Sequence, residues 1–242
     1  MEAIQNLVEY YDELYPVSTE QFDFYKSLLQ QYSKPVKFLG IGCGTGVLES
    51  RLAKEITDVT GLETIKELLD SATRKHRTQL MSIRFFKMST IEMALFLGKK
   101  FYNVISCLND RIIFIHDEIL LRKFFFDCKQ LLADNGSLVL TLTNYDLYRN
   151  QPVAFLPERC SMRAKLKSKL EFLNNGYFLT RTIETGNGKV IPIYTKTSVY
   201  PITMAEIKKF AMEAGFSVVN FFNGYCKENL DSKSSEIMVV IK

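Results

Sequence analysis

The stretch Val36-Lys37-Phe38-Leu39-Gly40-Ile41-Gly42-Cys43-Gly44-Thr45-Gly46 decides how this chain reads. Its first half is a short apolar run, the pattern of a strand buried on both faces. Its second half sets glycines at alternate positions, directly ahead of a helical segment at 47–54. Glycine lets the backbone turn tightly and approach a ligand closely. The first turn of a following helix offers free N–H groups to a carboxylate or phosphate. A dinucleotide loop requires G-x-G-x-x-G. Counted from Gly42 the third glycine would fall at Val47, and from Gly40 at Thr45, so neither frame fits.

Working outward, four more apolar runs follow at 59–62, 83–86, 104–108 and 138–142, with helical segments at 65–74 and 117–133. Strands alternating with helices imply a parallel sheet wound on both faces. In the last helix Leu120, Leu121, Phe124, Phe125, Cys128, Leu131 and Leu132 share a side, Asp117 can cap the start, and Asn135-Gly136 can end it. Upstream, Leu14, Phe22, Tyr25, Leu28 and Leu29 recur at helical spacing until Pro35, so residues 1–35 read as a helical cap. Beyond 142 the period becomes two. Ala164, Leu166, Leu170 and Phe172 alternate with Arg163, Lys165, Lys167, Lys169 and Glu171. Turn signals at Asn174-Asn175-Gly176 and Gly186-Asn187-Gly188 separate this strand from two more, at 177–184 and 190–200. Residues 145–200 are therefore expected to form an inserted antiparallel flap. A helix at 204–214 and strands at 217–222 and 236–241 close the domain, which then comprises 36–144 and 201–242.

The chain has 242 residues, 47% hydrophobic and 24% charged, with a net charge of +4, the balance of a globular protein with a substantial core. No apolar run approaches a membrane span, and the acidic start lacks the pattern of a secretory signal. Five cysteines (Cys43, Cys107, Cys128, Cys160, Cys226), widely spaced and without a CxxC, fit free thiols in a reducing compartment. Two histidines argue against a histidine-rich metal centre. A soluble, cytoplasmic, metal-free protein is expected. The basic stripe at 163–169 is read as a solvated strand face.

The G-x-G-x-G of Gly42, Gly44 and Gly46 resembles the S-adenosylmethionine loop of class I methyltransferases. Thr60-Gly61-Leu62-Glu63-Thr64 ends the second strand, 17 residues beyond Gly46. A carboxylate there can accept hydrogen bonds from both ribose hydroxyls. Residues 83–93 are similar to the family segment that holds adenine, and 101–110 to its fourth strand. The resemblance implies cofactor contacts from Gly40, Gly42, Cys43, Gly44, Gly46, Glu63, Thr64, Ser89, Thr90, Ile91, Cys107 and Leu108. It implies a doubly wound, Rossmann-like α/β sheet of seven strands in the order 3-2-1-4-5-7-6, the last antiparallel.

Further likeness narrows the resemblance to the glycine/sarcosine N-methyltransferase-like group. It lies in Thr143-Asn144-Tyr145-Asp146, Pro152, Phe155, Pro157 and Arg159, and in the ending Tyr200-Pro201-Ile202-Thr203, Ala214-Gly215-Phe216, Gly224-Tyr225 and Ser235. The segment Tyr10-Tyr11-Asp12-Glu13-Leu14-Tyr15-Pro16 resembles the helix that covers the cofactor in such enzymes. Acceptor-side candidates are then Tyr11, Tyr15, Asp110, Asn144 and Tyr145. Arg111, Arg159 and Arg181 are eligible to hold an acceptor carboxylate, and His116 to take a proton. Two departures stand out: Gly40 replaces the family's acid at the end of the first strand, and Ser89 the acid facing adenine. Each lost charged hydrogen bond would cost about 1.5–3 kcal/mol.

The first reading is a methyltransferase acting on a small molecule at an amine nitrogen, by in-line transfer that needs alignment more than acid–base chemistry. The second is a degenerate protein that binds the nucleoside or a partner without turnover. The third is an RNA or protein methyltransferase. Monomer and homodimer stay open.

Overall fold

A computed structural model describes residues 2–55, 58–76 and 82–242, the first five of these by backbone alone. The chain opens with helices α1 (Glu2–Leu14) and α2 (Thr19–Leu29), then alternates β1 (Lys37–Ile41), α3 (Val47–Leu52), β2 (Asp58–Glu63), α4 (Lys66–His76), β3 (Ile83–Lys87), α5 (Met93–Phe96), β4 (Tyr102–Cys107), α6 (Glu118–Leu131) and β5 (Leu132–Thr143). Four strands of a second sheet follow: β6 (Val153–Cys160), β7 (Ala164–Leu173), β8 (Gly176–Thr185) and β9 (Val190–Val199). Helix α7 (Met204–Glu213), β10 (Val219–Phe222) and β11 (Glu236–Ile241) complete the first sheet.

That sheet has seven strands in the order β10-β11-β5-β4-β1-β2-β3. Strands β1 to β5 pair parallel, while β11 runs antiparallel to both β5 and β10. The two closing strands are tenth and eleventh in the chain because the second sheet precedes them. Central strands bury both faces, as a sheet covered by helices requires. Helix α6 lays Leu121, Phe124, Phe125, Cys128 and Leu131 onto it, and each large apolar side chain so buried contributes about 1.5–3 kcal/mol. Asp117 caps this helix, accepting from the Leu120 N–H at 3.0 Å.

The helix ends at Leu131 rather than at Asn135-Gly136. Those two residues lie inside β5, where Asn135 takes a left-handed conformation (φ 61°) and the pairing with β4 slips between Tyr102 and Val104. The short helix-stopping signal is used instead as an irregularity within a long strand.

The second sheet has four strands, β6-β7-β8-β9, all antiparallel, where the sequence indicated three. The additional strand β6 is an edge strand and carries Pro157, whose missing N–H breaks the pattern; its register with β7 shifts between Leu156 and Arg159. Ala164, Leu166, Ser168 and Leu170 of β7 face inward, while Phe172, expected with them, is exposed. Lys167 pairs with Glu184, and Lys169 with Glu171 at 3.1 Å, so these two members of the basic stripe face acids of the same sheet. Helix α1 is clasped between this sheet and α4: Leu7, Tyr11 and Leu14 pack with Ala164, Leu166, Ile183, Ile191 and Leu68.

Candidate functional site

The glycine loop leaves the C-terminal end of β1 and is tied to its neighbour. The Gly42 and Cys43 N–H groups both donate to the Leu62 carbonyl, at 2.8 and 2.9 Å. Gly42, Gly44 and Gly46 all have positive φ, at 70°, 59° and 74°. A Cβ on Gly44 would lie 2.4 Å from the Tyr11 ring, so only glycine lets α1 close on the loop. Asp12 accepts from the Thr45 hydroxyl and pairs with Lys75 at 2.8 Å, which fixes α1 in that position.

Glu63, 1% exposed, ends β2 beneath the loop. Its Oε1 accepts from the Thr64 and Ile65 N–H groups at 2.8 and 3.0 Å. Its Oε2 accepts from the Gly44 N–H at 2.9 Å and from Arg111 Nη2 at 3.1 Å. Three backbone N–H groups and Arg111 fill its lone-pair positions, with the Thr64 hydroxyl at a long 3.5 Å, and of the close donors Arg111 is the side chain that can swing away. Arg111 leads a short 3₁₀ turn, Arg111–Phe114, and also donates to the Tyr11 hydroxyl at 3.3 Å. Burial by itself lowers the pKa of its guanidinium, but the Glu63 carboxylate raises it further, so it stays charged. Burial pushes the Tyr11 hydroxyl well above its ordinary range, leaving it neutral. Among the three arginines indicated by the sequence, Arg111 is thus bound to Glu63, and Arg159 pairs with Glu236 at 2.8 Å near the surface.

Two cavities open beside the glycine loop, both touching Gly42. The wider one, about 520 Å³, is lined by Ile41, Leu62, Glu63, Thr64, Met88, Ser89, Thr90, Ile91 and Cys107, with Arg111, His116 and Tyr194 at its side. Six sequence-indicated cofactor residues therefore share one space with Gly42. Ser89 faces it with a hydroxyl already committed to Glu92 at 2.7 Å. The smaller cavity, about 40 Å³, lies on the other side of the loop, with Tyr15, Cys43, Glu49, Ser106, Leu108 and Asn109 in its wall. The Cys43 Sγ is only 2.9 Å from where a Cβ on Gly61 would stand, so this thiol packs against β2.

The acceptor-side candidates separate into two groups. Tyr11 and Tyr15, with ring centroids 4.9 Å apart, line a narrow crevice with Asn109, Arg111, Arg181 and Tyr194. Asp110, Asn144 and Tyr145 line none of these cavities. Asp110 accepts from the Thr143 N–H (2.6 Å) and the Tyr145 hydroxyl (3.3 Å), and faces Arg181 Nη2 at 3.8 Å. Asn144 donates to the Ser234 carbonyl at 2.9 Å, holding the approach to β11. Arg181, 6% exposed, is steered by Ser168 (2.9 Å), Tyr15 (3.2 Å) and Asp110. The Arg111–Glu63 and Arg181–Asp110 pairs were not foreseen, because residues 48 and 71 positions apart carry no local signal.

Residues 38–136 match the family profile of the methyltransferase domain. A protein of Geobacillus sp. (strain WCH70), provisionally named a methyltransferase, is 28% identical over 141 residues, 56% of this chain and 55% of that protein. The chain thus spans about half the length of that curated relative. Among solved structures, an S-adenosylmethionine-dependent methyltransferase from Clostridium acetobutylicum is similar over 98% of this chain and 97% of its own, with TM-score 0.77 and 16% identity. The S-adenosylmethionine-bound amino pentose methyltransferase CalS10 from Micromonospora echinaspora is similar over 90% and 88%, with TM-score 0.60 and 16% identity. The protein has the class I, Rossmann-like methyltransferase fold, with a mixed seven-stranded sheet and a separate antiparallel four-stranded sheet. No helix of the described residues is long and apolar enough to cross a membrane.

Proposed function

We propose that this chain is an S-adenosylmethionine-dependent methyltransferase that acts on a small molecule, at an amine nitrogen, by direct in-line transfer. The observation that carries this reading is the junction at Arg111, which binds Glu63 and lines both spaces. There an apolar cavity wide enough for a nucleoside meets a crevice walled by tyrosines and arginines under α1 and the second sheet. The residues present fit the cofactor. Glu63 would accept from the ribose hydroxyls once Arg111 gives up its place. Ile41, Leu62 and the 88–91 segment would flank the base, and the glycine loop would take the chain that carries the sulfur. When bound, the cofactor supplies a methyl group activated by the sulfonium charge.

The chain's own residues then need only align an acceptor and exclude water. Helix α1 and the 145–200 flap, as an N-terminal cap and a lid, would do the excluding. Tyr11 stays a neutral donor or acceptor at the crevice wall beside Tyr15, and Arg181, braced by Asp110, Ser168 and Tyr15, positions the acceptor. Acid partners for Lys167 and Lys169 support a small acceptor over RNA or protein. Five unpaired cysteines support a cytoplasmic setting. The non-catalytic reading has one observation in its favour, the Arg111 guanidinium already seated on Glu63.

Calorimetric titration with S-adenosylmethionine and S-adenosylhomocysteine tests the proposal. Wild type should bind both at micromolar strength. Glu63→Gln, folded by its melting profile, should bind about 100-fold more weakly, the loss of roughly two charged hydrogen bonds. Folded wild type that binds neither ligand would refute the enzyme reading, and binding without methyl transfer to any amine would favour the non-catalytic one.

A further inference from the structure

Glu49 has no role in the site as described so far, yet its position is unusual. It lies in the first turn of α3, is 3% exposed, and lines the smaller cavity beside the glycine loop. Its carboxyl reaches back over the end of β1, where Gly40 sits in register between Gly61 and Ser106. A Cβ on Gly40 would stand 2.0 Å from Glu49 Oε1, so the carboxyl fills the space a side chain at 40 would need. Three small residues across three adjacent strands give it this room. Among the described residues no side chain hydrogen-bonds to this carboxyl and no cation pairs with it. Its own backbone N–H is the donor that favours its ionised form, and a buried acid with so little support is costly and is retained where a ligand completes it. Burial pushes its pKa up to about 8, with the Glu63 charge adding to the effect.

Resting on the methyltransferase reading above, the geometry points to one partner. We propose that Glu49 is the counter-ion for the α-ammonium of the cofactor's amino-acid part, placing from α3 a carboxylate that β1 lacks at position 40. A nucleoside in the wide cavity runs its tail along the glycine loop toward the smaller cavity, and the tail's only cation besides the sulfonium is that ammonium. The partner is thus named by charge and position, and it explains why glycine stands at 40: any larger residue would displace Glu49.

The test compares two probes by calorimetry, S-adenosylhomocysteine and 5′-deoxy-5′-methylthioadenosine, which shares the nucleoside and thioether but lacks the amino acid. Glu49→Gln should bind S-adenosylhomocysteine about 10- to 100-fold more weakly and the truncated probe within about twofold of wild type. Gly40→Asp combined with Glu49→Ala, which returns a carboxylate to the same space from the other element, should recover at least about tenfold of the loss. Unchanged affinity of Glu49→Gln for S-adenosylhomocysteine overturns the proposal and leaves the cofactor site intact. Equal loss for both probes overturns it too, since Glu49 would then merely support the loop. Wild type that binds neither probe removes the methyltransferase reading itself, and this proposal with it.

Discussion

Glu49 and Glu206 hold the same place in their helices, the third residue after the cap of α3 and of α7. Their surroundings drive them in opposite directions. At α7 the cap is Thr203, whose hydroxyl accepts from the Glu206 N–H, while the Glu206 carboxylate accepts from the Thr203 N–H at 2.9 Å. Arg149 and the Tyr200 hydroxyl bind the same carboxylate. Partial burial raises the Glu206 pKa, but these three contacts and the Thr203 hydroxyl, which also donates to the carboxylate at 2.8 Å, outweigh it and hold the group at about 2. At α3 the cap is Gly46, which has no side chain to reciprocate, and burial dominates, taking Glu49 to about 8. A first-turn glutamate is therefore a charged, stabilising cap or a buried acid that keeps its proton, according to the residue three positions earlier and what faces it. The first serves the fold, and the second stands where we propose the cofactor's ammonium binds.

The pH dependence of stability should separate the two most sharply at Glu49. Its carboxyl holds a proton more tightly in the folded chain, at about 8 against an ordinary 4.5. Between those values the unfolded chain has lost the proton and the folded chain has not, so stability falls as pH rises through this window. Glu49→Gln abolishes the fall. Its stability relative to wild type should improve by about 3–5 kcal/mol between pH 4.5 and 8, as read from urea unfolding at several pH values. A relative stability that does not change with pH would mean that Glu49 is ionised and compensated in the folded chain.

At Glu206 the sign reverses. A carboxylate held at about 2 contributes stability that is complete above the ordinary 4.5 and is lost as pH falls toward 2. Because the group is only partly buried, about 1–2 kcal/mol is expected. Glu206→Gln should be less stable than wild type by that amount at pH 7 and equal to it near pH 2. Equal destabilisation at both values would trace the effect to packing around Arg149 and Tyr200, with the charge contributing nothing.

This contrast also marks what a single sequence can show. The parallel strands were legible because each is an apolar run with no competing pattern, and the glycine loop because its spacing is tied to a backbone need. Glu63 followed from its distance to Gly46. The edge strand β6 was hidden by Pro157, and the length of β5 by Asn135-Gly136, which reads locally as a helix stop. Glu49 was invisible for a deeper reason. A glutamate in a first turn is ordinarily a solvated helix-starting residue, and only the adjacency of Gly40, nine positions away on another element, turns it inward. Arg111 on Glu63 and Arg181 on Asp110 were illegible alike, since both pairs are set by packing between elements.

The smallest effect tests the cap itself. Thr203→Ala removes the hydroxyl that the Glu206 N–H donates to, and should cost about 1 kcal/mol at pH 7. If the capping box acts as one unit, the loss should shrink to a few tenths of a kcal/mol when Glu206 is already glutamine, because the reciprocal pair is then half dismantled. Four urea titrations, for wild type, each single variant and the double variant, give the coupling. A coupling near zero would leave Arg149, Tyr200 and the Thr203 N–H, which the alanine variant keeps, as the causes of the depressed pKa. The difference between α7 and α3 would then lie in what faces each glutamate, with no part played by the side chain of the residue that caps its helix.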